Sequence, residues 1–297
     1  MLHLDGSPHA WLALRPTERQ TLLQSIDDAT KRVLYAQLVP AESTATVMTA
    51  LWTILETHGL PQALYTDRAG WAFYTPKAGE PVDRDRRTQV GRALARLGIE
   101  HIPAYSPQAR GRSERLNRTF QGRLVNELRV AGITTAPAAN RYLTERFLAA
   151  YDARFAHPPA DPASAFVPLG GVDLTHILCH EEARTVGQDN TVALEGVRLQ
   201  IDKQPGRRTC AGLRVLVRRH LDGLHCVWFG ARCFGHYDAR GRRLAKPAAT
   251  RTSRVLTPLP PLPHPLPLSR SSLLRPLRTR RPALRVSKPD RRALVPA

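Results

Sequence analysis

The distribution of proline separates the C-terminal part of this chain from the rest and limits what that part can fold into. Residues 246–297 hold 11 of the 25 prolines, and the run from Thr257 to Leu268 alternates proline with leucine almost throughout. Proline fixes φ and removes the backbone donor, so this run is excluded from helix interiors and central strands and is expected to be extended. The arginine-rich remainder has few aromatic or β-branched residues, which predicts a disordered tail. Folded structure is therefore expected in residues 1–245.

Net charge points to the kind of partner. The chain carries 44 Lys and Arg residues against 25 Asp and Glu, a formal charge of +19, of which residues 246–297 contribute +11 and the body +8. Such a charge favours a polyanion, nucleic acid before a membrane surface. A solvated basic surface without a specific partner is the alternative. No apolar run approaches the ~18–20 residues of a membrane helix, and no signal peptide is visible, so we expect no membrane partner.

The four cysteines form no C-x-x-C pair, which, without a secretion signal, favours a reduced cytoplasmic protein. Cys226, Cys233 and His236, with His220 or His225 nearby, suggest zinc. Their spacing fits no standard zinc finger or ribbon, however, and Cys226 lies in an apolar run. Buried cysteines in strands are therefore the preferred interpretation.

The hydrophobic pattern changes once within the body. Residues 1–170 predict elements in the order βββαβαβαα, an α/β domain with a mixed sheet and the element count of an RNase H-like domain. Residues 171–245 consist of short alternating runs separated by Gly-containing turns, which predicts a small antiparallel β-barrel, with a sandwich as the alternative. The expected domains are thus 1–170, 171–245 and a basic tail, 246–297.

Three acidic residues stand at predicted element ends in the first domain. Asp5 lies in the first strand, Asp67 ends the fourth strand, and Glu114 begins a long helix, in its first turn. Carboxylates are hard ligands suited to Mg²⁺ or Mn²⁺, and two such ions can drive an in-line phosphoryl displacement. The alternatives are a turn residue for Asp67 and a favourable helix-dipole position for Glu114. Asp27 and Asp28 compete for the first position, although their place in a hairpin turn suits a structural role better.

Four segments carry a family resemblance: Asp5 to Ser7, Asp27 to Thr30, Tyr65 to Gly70, and Ser106 to Asn117. They resemble the catalytic core of DDE transposases and retroviral integrases. That family has an Asp in the first strand, Thr-Asp-x-Gly at the fourth, and Ser-Pro-x-x-x-Gly-x-x-Glu at the helix. Residues 184–192 and their flanking strands are similar to the C-terminal part of bacterial ISNCY-group insertion-sequence transposases, and the match covers about residues 1–235.

The resemblance implies that Asp5, Asp67 and Glu114 form a metal-binding catalytic triad holding two Mg²⁺ or Mn²⁺ ions. It implies 3′-end cleavage of the element followed by attack of the freed 3′-OH on target DNA. The partners would be DNA ends and target DNA, bound by a homo-oligomer in the bacterial cytoplasm at the nucleoid.

The chain departs from the family pattern in three places. Thr-Asp-Arg-Ala-Gly replaces the commoner Thr-Asp-Asn-Gly, and 46 residues separate Asp67 from Glu114, the extra length being assigned to a surface loop at about 75–87. Only four residues precede Asp5, and the resemblance implies a helix-turn-helix region before the catalytic core, which we therefore expect to be missing. We expect a truncated copy.

Basic residues flank the last acid of the triad. Arg110, Arg112, Arg115 and Arg118 surround Glu114 in sequence, which predicts phosphate contacts, against the alternative of a solvated helix face. Two other functions remain open. One is an RNase H-like nuclease or Holliday-junction resolvase using the same metals, and the other is an inactive transposase remnant that only binds DNA.

Overall fold

A computed structural model describes residues 1–77, 80–105 and 107–245, without the side chains of 107–110, 112 and 113. The predicted tail, 246–297, therefore lies outside the described residues. The described residues all belong to one compact unit. Within the described part of this unit, two five-stranded sheets and several helices enclose three groups of buried apolar side chains.

The first sheet is mixed, as the sequence predicts. Its strands are β1 (Leu2–His9), β2 (Gln20–Asp27), β3 (Val33–Val39), β4 (Ala63–Thr66) and β5 (Glu100–Pro103). Their order across the sheet is β3-β2-β1-β4-β5. The first three pair antiparallel, whereas β4 pairs parallel with both β1 and β5. Strand β1 is consequently central.

Helices cover both faces of this sheet. They are α1 (Thr44–His58), α2 (Gln89–Arg96), α3 (Pro107–Val130), α4 (Ala136–Tyr142) and α5 (Leu148–Phe155). Helix α1 begins with a capping box between Ser43 and Thr46 and ends at Gly59, whose φ of 89° favours glycine. Its apolar face packs with α2 in one core, and α3 to α5 form the other.

The predicted apolar stripe of the long helix is confirmed. Leu116, Phe120, Leu124 and Leu128 are all buried against the sheet. The sequence predicts one helix over 138–155 after α3, but the structure has a π-helical turn, Leu143–Phe147, between α4 and α5. The rings of Phe147 and Tyr151 both pack edge-on against Phe120, at 4.9 and 5.1 Å.

The predicted β-barrel is wrong for the described residues, although its strands are antiparallel as expected. Strands β6 (His180–Thr185), β9 (Arg214–Arg219), β10 (His225–Phe229), β11 (Arg232–Tyr237) and β12 (Arg243–Leu244) form an open sheet in the order β12-β11-β10-β9-β6. Strands β7 (Thr191–Leu194) and β8 (Val197–Gln200) pair only with each other. Closure would require β12 to pair with β6, and a two-residue strand offers too few backbone groups for that.

A carboxylate joins the two sheets through helix α2. Glu181 of β6 accepts from Arg218 at 2.8 Å and from Arg96 at 2.8 Å, and lies 3.2 Å from Arg92. The backbone N–H of Glu181 donates to Gln89 Oε1 at 3.0 Å, and Gln89 Nε2 donates to the backbone carbonyl of Glu181 at 2.8 Å. Burial alone raises the pKa of Glu181, but the hydrogen bond from Arg218 and the three guanidinium charges outweigh it and hold that pKa below its usual range.

None of the helices in the described ranges combines the length and the apolar character that crossing a bilayer demands.

Candidate active site

Asp5 lies at the middle of the first sheet and is held by an amide from helix α3. Its side chain is buried, and its Oδ2 accepts a hydrogen bond from Asn117 Nδ2 at 3.0 Å. Gln24, the cross-strand neighbour of Asp5, donates from Nε2 to Asn117 Oδ1 at 2.5 Å. A buried carboxylate is costly without partners. The hydrogen bonds from Gln24 to Asn117 and from Asn117 to Asp5 supply such a partner and fix the orientation of the Asp5 carboxylate.

Asp67 follows β4 directly and closes a turn. Its Oδ1 accepts from the backbone N–H of Ala69 at 3.0 Å, the geometry of an Asx turn. Strands β1 and β4 pair Leu2 with Leu64 and His3 with Tyr65. Continued by two residues, this parallel register places Asp5 level with Asp67. Asp67 therefore has the turn role that the sequence also allowed.

Glu114 lies farther inside its helix than the sequence predicts. Helix α3 begins at Pro107, so Glu114 is its eighth residue rather than part of its first turn. The reason is that proline is favoured at the first helical position, where its missing N–H costs nothing. Residues 107–111 of that motif are thus helical instead of a loop before the helix.

The face of α3 that includes Glu114 contacts β1 through two later residues. Asn117 and Gln121 share that face, three and seven residues on. Asn117 bonds Asp5, and Gln121 Nε2 donates to Ser7 Oγ at 3.2 Å. Glu114, which is exposed, lies one turn before Asn117 along the same contact line.

Among the described residues, the three carboxylates do not form one compact group of ligand atoms. In the part of the chain that the structure describes, the one group of at least three His, Cys, Asp or Glu ligand atoms within 4.8 Å of one another lies elsewhere. Two ions ~3.5–4 Å apart do not require so compact a group, because each carboxylate can contact a different ion. The all-oxygen donor set suits Mg²⁺ or Mn²⁺.

Two of the four predicted DNA-binding arginines are described. Arg115 and Arg118 are exposed on α3, and Arg118 is one helical turn beyond Glu114. The side chains of Arg110 and Arg112 lie outside the described residues. Guanidinium groups here could meet phosphates beside the carboxylates.

The rival acids have a structural role, as anticipated. Asp27 Oδ2 accepts from the backbone N–H and the hydroxyl of Thr30, at 3.0 and 2.6 Å. Asp28 lies 3.0 Å from Lys31 Nζ, and Lys31 has a φ of 60° in the turn. These contacts form the β2–β3 hairpin.

Sequence reasoning did not identify His101, a partly buried histidine beside Thr66. His101 Nε2 lies 2.9 Å from Thr66 Oγ1, and Thr66 Oγ1 donates to the carbonyl of Asp67 at 2.9 Å. The ring stacks on Phe73 with centroids 4.0 Å apart. Burial lowers the pKa of His101 to about 4, so the ring is neutral at physiological pH. Asn117, by contrast, had a usable signal, namely its i+3 spacing from Glu114.

Comparisons with known proteins give two curated relatives. The chain is 36% identical over 236 residues to y4bF of Sinorhizobium fredii (strain NBRC 101917 / NGR234), whose name assigns it provisionally as a transposase. That match covers 77% of this chain and 50% of the relative. This chain is also 36% identical over 143 residues to the transposase for insertion sequence IS1202 of Streptococcus pneumoniae. The second match covers 48% of this chain and 30% of that protein. The chain thus spans half the length of its first curated relative, or less for the second.

Searches against family models gave no match. Among solved structures, a chain of the simian T-cell lymphotropic virus intasome, in complex with the PP2A regulatory subunit B56 gamma, aligns with a TM-score of 0.39 and 12% identity. The alignment covers 83% of this chain and 79% of that chain. Similarity at this level does not by itself identify a fold or a function.

Proposed function

We propose, because the chain is similar to two bacterial transposases, that it carries the catalytic core for metal-dependent DNA cleavage and strand transfer. The observation that carries the proposal is the hydrogen bond from Asn117 to Asp5, because it brings helix α3, and with it Glu114, to the strand that holds Asp5. The strand order β3-β2-β1-β4-β5, with β1 antiparallel to β2 and parallel to β4, supports an RNase H-like assignment.

Asp5, Asp67 and Glu114 are the proposed metal ligands. Bound Mg²⁺ or Mn²⁺ would supply activation of an attacking oxygen and stabilisation of a leaving oxygen. The chain's own residues then position the groups. Asn117 donates to one oxygen of Asp5, and the Asx turn to Ala69 fixes one oxygen of Asp67, so both carboxylates keep defined orientations.

DNA is the proposed partner, both as element ends and as target. Arg115 and Arg118 are exposed beside Glu114, where they would contact phosphates flanking the scissile bond. Because two DNA ends and a target must be held together, we propose that the protein acts as a homo-oligomer on DNA.

Strand joining with pre-cleaved element ends tests this function. Duplexes carrying the terminal repeats of the element are incubated with the full chain, target DNA and Mg²⁺ or Mn²⁺, and joined products are resolved by electrophoresis. The wild-type chain should join strands, and Asp67→Asn should not. Asparagine can keep the turn to Ala69, so the loss would reflect the carboxylate rather than folding.

Asp161→Asn is the matched control. Asp161 closes an equivalent turn, accepting from the N–H of Ala163 at 2.9 Å, and is exposed on a loop after α5. This variant should join strands like the wild type. Hydrolysis without joining would favour a nuclease or resolvase instead. If the wild type and Asp67→Asn gave the same products, both enzyme functions would be wrong, and the chain would be an inactive remnant that only binds DNA.

A further inference from the structure

Two histidines and a cysteine converge where the second sheet meets the segment that precedes it. His176 ends a short 3₁₀ turn, Leu174–His176, His220 follows β9, and Cys226 lies in β10. One ligand atom from each lies within 4.8 Å of the other two, and His220 Nε2 is 3.1 Å from Cys226 Sγ. Spacing in the sequence suggests a different set of zinc ligands, Cys226, Cys233 and His236. It cannot suggest His176, which lies 50 residues before Cys226 in the sequence.

The protonation of His220 is set by its other nitrogen. Nδ1 lies 2.9 Å from the carbonyl oxygen of Thr175, which can only accept, so Nδ1 carries the proton. Nε2 is then unprotonated in the neutral ring and directs its lone pair toward Cys226. A backbone carbonyl that fixes the non-ligating nitrogen is the usual support of a metal-binding histidine.

His176 offers an independent observation. Its Nδ1 is buried and has no hydrogen-bond partner among the described residues, while Nε2 lies 3.9 Å from Asp173 Oδ2. A buried, unpaired nitrogen is costly and calls for a ligand. Burial also lowers the pKa of His176, which favours the neutral, ligating form of the ring.

The sulfur of Cys226 is already supported by a donor. Cys226 is fully buried, and Trp228 Nε1 donates to its Sγ at 2.9 Å. An indole N–H can only donate, so this contact suits a thiolate well. Without a cation, burial raises the pKa of Cys226 to about 12. The competing arrangement is therefore a neutral thiol that donates to His220 Nε2 and needs no ion.

We propose that His176, His220 and Cys226 bind a zinc ion. Nitrogen and thiolate ligands are those zinc prefers, and ideal tetrahedral bonds separate ligand atoms by about 3.3–3.8 Å, so side-chain shifts of about 1 Å complete the geometry. The fourth position falls to water or to His236, which is the cross-strand neighbour of Cys226. Arg218 lies over the ring of Trp228, 5.1 Å from its centroid, and its charge is balanced by Glu181.

The ion would fasten the second sheet to the first core. Leu174, Ile177 and Leu178, on either side of His176, are buried with the apolar side chains of α1 and α2. His220 and Cys226 belong to the β9–β10 hairpin of the other sheet. A metal bridging these segments would act as a structural cross-link, independent of the carboxylates proposed for catalysis.

Cobalt substitution tests the site directly. The full-length chain is freed of metal with a chelator and titrated with Co²⁺, whose thiolate charge-transfer and d–d absorption bands report sulfur ligation and tetrahedral geometry. We expect both bands to saturate at one Co²⁺ per chain and to disappear when Zn²⁺ is added. Zn²⁺ should also raise the melting temperature of the metal-free protein.

Variants assign the ligands. Cys226→Ala should abolish the charge-transfer band, and His176→Gln should weaken Co²⁺ binding at least tenfold. Cys210→Ala is the matched control, because Cys210 is a buried, free cysteine of the same region outside the cluster. The absence of a charge-transfer band in the wild-type chain would overturn the proposal whatever the variants do. So would a band that survives Cys226→Ala.

Discussion

At the scale of single residues, the orientation of Asp5 depends on amides rather than on other charges. Gln24 donates to Asn117, and Asn117 donates to Asp5. Each link is short and at least partly buried, so losing the middle member leaves two polar groups without their partner. Asn117 is therefore a positioning residue for the proposed metal ligand.

Asn117→Ala should lower the rate of strand joining about 10–100-fold, the usual cost of losing a partner that orients a metal ligand. Because the carboxylate itself remains, raising the Mg²⁺ or Mn²⁺ concentration should restore part of the rate. Rates measured across a metal titration check this. Asn126→Ala, an exposed asparagine on the same helix, is the control, and an identical loss in that variant would contradict the positioning role.

His101 makes the stability of the fold depend on pH. Its pKa is about 4 in the folded protein and about 6.5 when unfolded, so the unfolded chain binds more protons between those values. The free energy of unfolding should therefore fall as the pH drops from 6.5 to 4, by up to about 3 kcal/mol from this residue.

Chemical denaturation at several pH values checks the histidine effect. His101→Gln should flatten the dependence between pH 6.5 and 4 relative to the wild type. His157→Gln, which alters an exposed histidine, should leave it unchanged. An undiminished slope in His101→Gln would show that other groups cause the loss.

The limits of sequence reasoning are clearest at single residues. Asp5, Asp67 and Glu114 could be chosen because they lie in or next to predicted elements and because their motifs resemble a family pattern. The partners of Asp5 could not, because Asn117 and Gln24 meet it only after α3 crosses the sheet. His101 gave no signal, since burial next to Thr66 depends on tertiary packing.

At the scale of elements, Glu181 links helix α2 to strands β6 and β9. Three arginines surround one carboxylate, which accepts hydrogen bonds from Arg96 and Arg218. Removing its charge would leave the three guanidinium groups facing one another across a half-buried junction. The structure thus concentrates the contact between these elements on one side chain.

Glu181→Gln should reduce the free energy of unfolding by about 2 kcal/mol, the scale of a charge-assisted hydrogen bond. Glu195→Gln, which breaks an exposed pair with Arg219, should cost less than about 1 kcal/mol. Denaturant unfolding of both variants measures the difference. Equal costs would mean that the junction behaves as an ordinary surface ion pair.

Elements were the most predictable part of the fold. The stripe from Leu116 to Leu128 and the strands around Asp67 follow from periodicity alone. The open form of the second sheet could not be predicted from periodicity. An alternating pattern specifies which face of a strand is buried, but not whether the two edge strands of the sheet pair with each other.

At the scale of the whole molecule, positive charge is unevenly divided along the chain. Residues 246–297 contribute +11 of the formal +19, and the remaining +8 includes the arginines that flank Glu114. Non-specific DNA affinity follows the number of phosphates neutralised. Most of that affinity should therefore reside away from the proposed catalytic residues.

Deleting residues 246–297 should weaken binding to random-sequence DNA and reduce the dependence of the binding constant on salt. Arg118→Ala in the full chain should lower the salt slope by only about 1, the effect of one phosphate contact. Fluorescence anisotropy across a salt series measures both, and melting temperatures report whether the shortened chain stays folded. A salt slope unchanged by the deletion would contradict the expectation.

The π-helical turn between α4 and α5 bears on how this chain can change in length. The buried residues Ala139, Leu143, Phe147 and Tyr151 recur at every fourth position, a spacing that drifts by about 40° per step on an ideal α-helix. The wider turn at Leu143–Phe147 offsets part of this drift and keeps Tyr151 against Phe120. Deleting one residue there, such as Glu145, would remove about 100° of rotation, close to what the wider turn already removes, so a regular α-helix would keep Tyr151 on the buried face. This helix should therefore tolerate the loss of one residue within the π-helical turn better than a loss elsewhere, where no wider turn offsets the rotation.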